Sequence, residues 1–411
     1  MRKKMIAMLL MTAMTMVLLA GCGSSGSSST DSSETSEDAE ETTSSEETAT
    51  ESNSSTEKQT VKVGVSIPLT SASEAESAEN LLGGINAALE YAQDSGMLER
   101  WDIELYSEDD AGDPTTGMNA ANKLIYTDGI HALLGPVQST VASVILPVLE
   151  EEQIPSIMAV ASPALSQQGY TYFFRANYTN NDAIALTMEF FVEDQGYTKI
   201  GILTGQNETS EAALEAAEEV LAGYGIEPVV EYFGDSDTDF SSQIISFRDA
   251  GCEAIYEFSG IVGGAQQTEQ IRQLMGSDVY VVGLSNGQSS FLELISADVA
   301  NNSGYATCYD PCFEGEIYDT FRSYYANYVD REAVDVSARG YDGMLILITA
   351  LNSLDENCSV DDEDFGEKLR DAIRAVDYTG VQGEFHYDEN GDGLNSISVV
   401  EYVDGERVKI K

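Results

Sequence analysis

An α/β fold of two doubly wound, Rossmann-like lobes is predicted for this chain by three observations. Short apolar runs alternate with amphipathic stretches, the βαβα rhythm of a parallel sheet covered on both faces. That rhythm restarts midway, after Tyr172-Phe173-Phe174-Arg175. The body holds about 350 residues, too many for one ordinary core and suited to two.

Each element follows from local periodicity. Val61–Leu69 reads as a buried strand, and Glu79–Gln93 as a helix with Leu81, Leu82, Ile85, Ala88 and Leu89 on one side. Ile103–Tyr106, His131–Leu134 and Ser156–Val160 are strands, separated by helices over Thr115–Tyr126 and Thr140–Glu151. In the second half, helices are predicted over Asp182–Gln195, Glu211–Leu221, Phe240–Ala250 and Gly264–Met275. Strands over Lys199–Leu203, Val229–Phe233, Ala254–Phe258 and Val279–Leu284 alternate with them. Beyond Tyr305, three helices are expected near 316–328, 340–353 and 364–375. The chain should finish with a hairpin of Gly383–Tyr387 and Ser398–Val403 around Asp388–Gly393. Ligands of such sheets bind in crevices outside the carboxyl ends of the strands.

The first 58 residues have a different character. Met1-Arg2-Lys3-Lys4, an apolar stretch from Met5 to Leu19, and Leu19-Ala20-Gly21-Cys22 together form a secretory signal. The apolar stretch is too short to span a hydrocarbon core of roughly 30 Å comfortably. Residues 23–58 are almost entirely Ser, Thr, Glu, Asp and Ala, with no large apolar side chain. Such a segment cannot offset its ordering entropy and is expected to be a disordered tether. A flexible coil of that length has a reach of roughly 30–35 Å.

Composition excludes several functions. With 71 acidic against 20 basic residues and a formal charge of −51, the chain repels nucleic acid and anionic lipid. Its two histidines, His131 and His386, lie far apart with no ligand-spaced Cys or His partner, so a zinc site is not expected. An exported protein permits disulfides. Of Cys252, Cys308, Cys312 and Cys358, only Cys308 and Cys312 are close in sequence; a bridge and free thiols both remain open.

Two motifs suggest other chemistry. Gly283-Leu284-Ser285-Asn286-Gly287 fits a nucleophile elbow, which would make Ser285 an esterase nucleophile with His386 as its base. No HGGG-type oxyanion loop precedes it, and a single hydrolase sheet would not restart midway. Asp388-Glu389-Asn390-Gly391-Asp392-Gly393 matches the first half of an EF-hand loop. Its twelfth position is Val399, which supplies no carboxylate, so a Gly-rich turn is expected.

An ordered set of short motifs then points to a family. Val63-Gly64-Val65-Ser66-Ile67-Pro68-Leu69-Thr70-Ser71 and Gly83-Gly84-Ile85-Asn86-Ala87-Ala88 are followed by Ser107-Glu108-Asp109-Asp110-Ala111-Gly112-Asp113-Pro114. Gly135-Pro136-Val137-Gln138-Ser139, Tyr172-Phe173-Phe174-Arg175, Gly340-Tyr341-Asp342-Gly343 and Gly383-Glu384-Phe385-His386-Tyr387-Asp388 complete the set. Together these resemble the branched-chain amino-acid (Leu/Ile/Val) binding proteins of ABC importers, which have the type I two-lobed periplasmic-binding fold. Leu19-Ala20-Gly21-Cys22 likewise resembles the bacterial lipobox.

The resemblance implies a non-enzymatic solute-binding lipoprotein, monomeric and without a cofactor. It would pass a small amino-acid-like or related polar solute to an ABC permease and its ATPase. Acylation of Cys22 would fix it to the outer face of a cell membrane, as in a Gram-positive-type envelope; several acyl chains anchor stably where one does not. Lobe 1 would comprise 59–177 and 307–381, and lobe 2 would comprise 178–306 and 382–411. Three crossings would act as a hinge that closes on ligand. A sensory protein reporting to a membrane receptor fits the same scaffold.

Ligand-binding residues carry over by position. Ser139 matches a family Ser that holds the ligand carboxylate at a helix start, with Gln138 and Thr140 beside it. Backbone groups of Ala159 and Ala161 are implied, with Ser162 replacing a Thr missing at position 161. In lobe 2, Thr209 stands where the family often has an aromatic residue. Asn286 stands near the place of the family's acid for the ligand ammonium, so either Asp310 or another acid substitutes or the ligand lacks that group. Tyr309 would supply an aromatic wall.

Overall fold

The computed structural model describes residues 58–411, except Ala72, Ser73, Asp235, Ser289, Leu394, Asn395 and the side chain of Glu208. The signal segment, Cys22 and the tether up to residue 57 lie outside the described residues.

The first half builds one parallel sheet. Its elements run β1 (Gln59–Ile67), α1 (Ala75–Asp94), β2 (Trp101–Asp109), α2 (Pro114–Lys123), β3 (Ala132–Leu134), α3 (Ser139–Glu151), β4 (Ser156–Met158) and β5 (Phe173–Arg175). The strand order is β2-β1-β3-β4-β5. The inward positions of β1, Val61, Val63, Val65 and Ile67, are wholly buried. They meet α1 in one core, while Val141, Ile145 and Leu149 of α3 fill the opposite face.

A second sheet repeats the pattern. It is preceded by α4 (Asn180–Glu189) and contains β6 (Ile200–Thr204), α5 (Glu208–Gly223), β7 (Val229–Tyr232), α6 (Ser241–Ala250), β8 (Ala254–Phe258) and α7 (Ile261–Met275). Then follow β9 (Tyr280–Gly283), two single turns, α8 (Phe291–Leu294) and α9 (Ala297–Ala300), and β10 (Ser303–Thr307). Ile202 and Tyr256 point to one face and their neighbours Leu203 and Ile255 to the other, the period-two alternation of strands.

The chain then returns to the first sheet. Helices α10 (Glu316–Tyr325), α11 (Asp335–Ser353) and α12 (Phe365–Arg374) precede four short strands, β11 (Asp377–Gly380), β12 (Gly383–His386), β13 (Ser398–Val403) and β14 (Glu406–Lys409). Phe321, Met344, Leu347 and Leu369 share the core of β1. The second sheet has the order β14-β13-β10-β9-β8-β6-β7, with β13 antiparallel to β10.

Several expectations change. The predicted hairpin of Gly383–Tyr387 with Ser398–Val403 does not form: β12 pairs with β11, and β13 pairs with β10 and β14. The cause is Asp342 of α11, whose carboxylate accepts from Val381 N at 3.0 Å, Gln382 N at 2.8 Å and the Tyr378 hydroxyl at 2.9 Å. It thereby folds the turn that joins β11 to β12. Phe385 and Tyr387 accordingly lie in the first core. Strand β10 escaped notice because Asn301-Asn302-Ser303-Gly304 opens it without an apolar run. The helices predicted to reach Tyr126 and Gln195 stop earlier, each continuing into one wider turn at Leu124–Asp128 and Phe190–Asp194.

Candidate functional site

The loops at the carboxyl ends of both parallel sheets border a common cavity of about 450 Å³. Val137 follows β3, Ala161 follows β4 and Asn177 follows β5 on one side; Ser285 follows β9 and Thr307 ends β10 on the other. Asp335, Val336 and Arg339 of α11 also line it. Both walls therefore come from loop positions that a parallel α/β sheet leaves open at its strand ends.

One buried arginine ties these loops together. Arg175, wholly buried, donates to the Val160 carbonyl at 2.7 Å, the Ser162 carbonyl at 3.0 Å and Asp392 Oδ1 at 2.6 Å. Asp388 meanwhile accepts from Asn390 N at 2.8 Å and Asp392 N at 3.0 Å. The Asp388–Gly393 segment is thus a carboxylate-closed turn whose Asp392 is the counter-ion of Arg175. Among the described residues, no group of three or more His, Cys, Asp or Glu side chains is placed to hold a metal ion. Cys252, Cys308, Cys312 and Cys358 are free thiols, with no bridge between Cys308 and Cys312.

Of the residues singled out in the sequence, Ala161 and Tyr309 line the cavity, as does Ser285. Ser139 begins α3 and its Oγ accepts the Ser162 N–H at 3.3 Å, which holds those two loops together beside the cavity. Gln138 precedes it with no side-chain cap bond, Thr140 is exposed, and Ala159 is buried behind Ala161. Thr209 is exposed in the first turn of α5.

Asn286 is turned away from the solute side. A Cβ at Gly264 would stand 3.3 Å from Asn286 Oδ1 and 3.8 Å from Glu257 Oε2, so its amide faces the interior of the second sheet's layer. Ser285 donates its hydroxyl to the Ser259 carbonyl at 3.0 Å, while His386 lies beside Asp377 at 3.6 Å in the β11–β12 pair. A Ser–His nucleophile is therefore not assembled there.

Among the described residues, four acids, Glu74, Glu76, Asp310 and Asp335, and one base, Arg339, line the cavity. Asp310, the candidate substitute acid, is already engaged: it accepts the Tyr305 hydroxyl at 2.6 Å and Cys312 N at 2.9 Å. Asp335 accepts from Arg339 at 2.5 Å. Burial is the largest influence and alone would lower the Arg339 pKa, but Asp335, Tyr178 and Cys308 together push the guanidinium up. Sequence reading missed both Asn177 and Arg339. The available signal was that Arg339 is the sole basic residue of α11.

The periplasmic binding protein family matches residues 60–407. The chain belongs to that family. A Leu/Ile/Val-binding protein homolog of Brucella melitensis is 25% identical over 198 residues, 48% of this chain and 53% of that protein. The chain thus spans about half the length of that curated relative. A leucine binding protein of Thermotoga maritima superposes with a TM-score of 0.71 at 22% identity, over 85% of this chain and 98% of that one. A solute binding protein of R. palustris, in complex with benzoate, gives 0.70 at 17% identity, over 85% and 95%. These likenesses establish that this periplasmic binding protein has the type I fold, two α/β lobes with parallel sheets.

Proposed function

We propose that the protein is the solute-binding component of an ABC importer. It captures a small amino-acid-like or related polar solute in the cleft and presents it to a permease and its ATPase. The observation that carries this reading is the cavity of about 450 Å³ bordered by strand-end loops of both sheets, the size class of a small-molecule site. Relatives named for Leu, Ile and Val and a neighbour holding benzoate support solutes of that size with a carboxylate. Three chain crossings supply a hinge, so ligand would close one lobe on the other.

In the same reading Cys22 is acylated, residues 23–58 are a tether, and the monomer works from the outer face of a cell membrane. Metabolic labelling with a fatty acid tests the anchor: label should enter the wild type and be absent from Cys22→Ala. A thermal-shift screen of the full chain in mild detergent, against amino, hydroxy, keto and aromatic acids and their amides, tests capture. A solute at a hundred times its Kd adds about 2.7 kcal/mol of stability. A screen in which no solute raises the melting temperature overturns the reading.

A further inference from the structure

Buried polar atoms ordinarily find partners, because a group removed from water without one is costly. Three side chains that line the cleft depart from that rule: the Tyr309 hydroxyl, which sits on a ring packed into the first core, and two planar hydrogen-bonding groups. Asn177 is 1% exposed, yet neither its Oδ1 nor its Nδ2 has a partner among the described residues. Arg339 has a buried Nε–H with no acceptor among the described residues, and its Nη1 reaches the Ala159 carbonyl only at 3.5 Å.

Neither residue is free to turn elsewhere. Asn177 sits on the first crossing between the sheets, between the locked Arg175 and Thr179, whose side chain caps α4 through a reciprocal box with Asp182. Arg339 is held from one side by Asp335, one helical turn earlier, and lies over the Tyr178 ring at 5.9 Å. Asp335 takes only Nη2, leaving the Nε edge of the guanidinium unused. Arg339 is also the one base among the residues lining the cavity.

We propose that Asn177 and Arg339 form an anchoring subsite for a carboxylate of the bound solute. The proposal rests on the reading of the cleft as a solute site and places the anion away from Ser139, whose hydroxyl oxygen already accepts the Ser162 N–H. Arg339 donates from its unpaired Nε and Asn177 donates from Nδ2, the planar donor groups that suit a carboxylate. Asn177 Oδ1 remains to accept from a hydroxyl or amino group adjacent to that carboxylate. The solutes favoured are therefore organic acids with a donor on the neighbouring carbon.

The test uses the full chain in mild detergent, with calorimetry and melting curves for leucine, 2-hydroxy-4-methylpentanoate and benzoate, and the methyl ester of each. At least one acid should bind, with its ester at least about tenfold weaker, since an ester has no negative charge to pair with the guanidinium. Arg339→Gln should weaken that acid by about tenfold to a hundredfold, and Asn177→Ala by about tenfold. Asn177→Ala removes a side chain with no hydrogen-bond partner among the described residues, so it decides the matter if Arg339→Gln fails to fold. Esters that bind as well as the acids, or variants within about twofold of wild type, overturn the subsite and leave solute capture standing. Binding of uncharged solutes alone does the same. Absence of binding by every solute tried overturns the capture reading and this subsite with it.

Discussion

Glu257 on β8 shows how a single residue links sequence, burial and pH response. It is wholly buried, and its Oε2 accepts from Thr268 at 3.0 Å, whereas Oε1 has no partner among the described residues. Burial pushes the carboxyl up to about 8, opposed by the Thr268 bond and by the charge of Arg272. A carboxyl whose pKa is raised in the fold favours the folded state in its protonated form. Its contribution is therefore fully present below the ordinary value of 4.5 and is lost as pH rises through about 8. Glu257→Gln, which keeps the shape without the titration, should remove this slope. Urea midpoints should match the wild type near pH 4.5 and exceed it at pH 8.5; a variant that tracks the wild type at both pH values refutes this assignment. Little of this was legible in the sequence. Ala254-Ile-Tyr-Glu-Phe258 reads plainly as a strand, but which neighbours enclose its acid depends on helix α7 packing across it.

Among the elements, the contact of α1 with α11 explains two of the sequence's glycine motifs. A Cβ on Gly84 would overlap the Ser337 carbonyl oxygen, and one on Gly340 would overlap that of Leu81. Backbone meets backbone at both points, so no side-chain rotation relieves the clash. Gly84→Ala should cost about 2–3 kcal/mol and lower the urea midpoint; an unchanged midpoint would show that the two helices separate freely. Gly83-Gly84 and Gly340 stood out in the sequence, but as landmarks of a resemblance. Only the crossing of the helices shows what they do. The failed hairpin teaches the same point about strands. Gly383–His386 and Ser398–Val403 are each recognisable as extended. Their partners depend on Asp342, which lies far upstream on a helix and binds the turn between β11 and β12.

At the scale of the whole molecule, charge dominates. A formal charge of −51 repels itself at low ionic strength, where the Debye length is about 30 Å in 0.01 M salt and about 3 Å at 1 M. Raising sodium chloride from about 10 mM to about 500 mM should raise the melting temperature by several degrees. A melt that falls with salt would mean that the ion pairs, such as Arg175–Asp392 and Arg339–Asp335, outweigh the repulsion. Arg339 is also the exception in an acidic cleft, the one base in a lining that it shares with Asn177.

The alternation of strands and helices as far as β9, the two-lobe class and the acid excess were determined by the sequence alone. They follow from periodicities of two and 3.6 residues and from composition, which are local properties of the chain. Tertiary structure alone decided that Asn177 and Arg339 share a cleft, that Asn286 turns inward and that β12 pairs with β11. Those outcomes are set by packing between segments distant in sequence, where one carboxylate or one glycine selects the partner and the direction of a side chain.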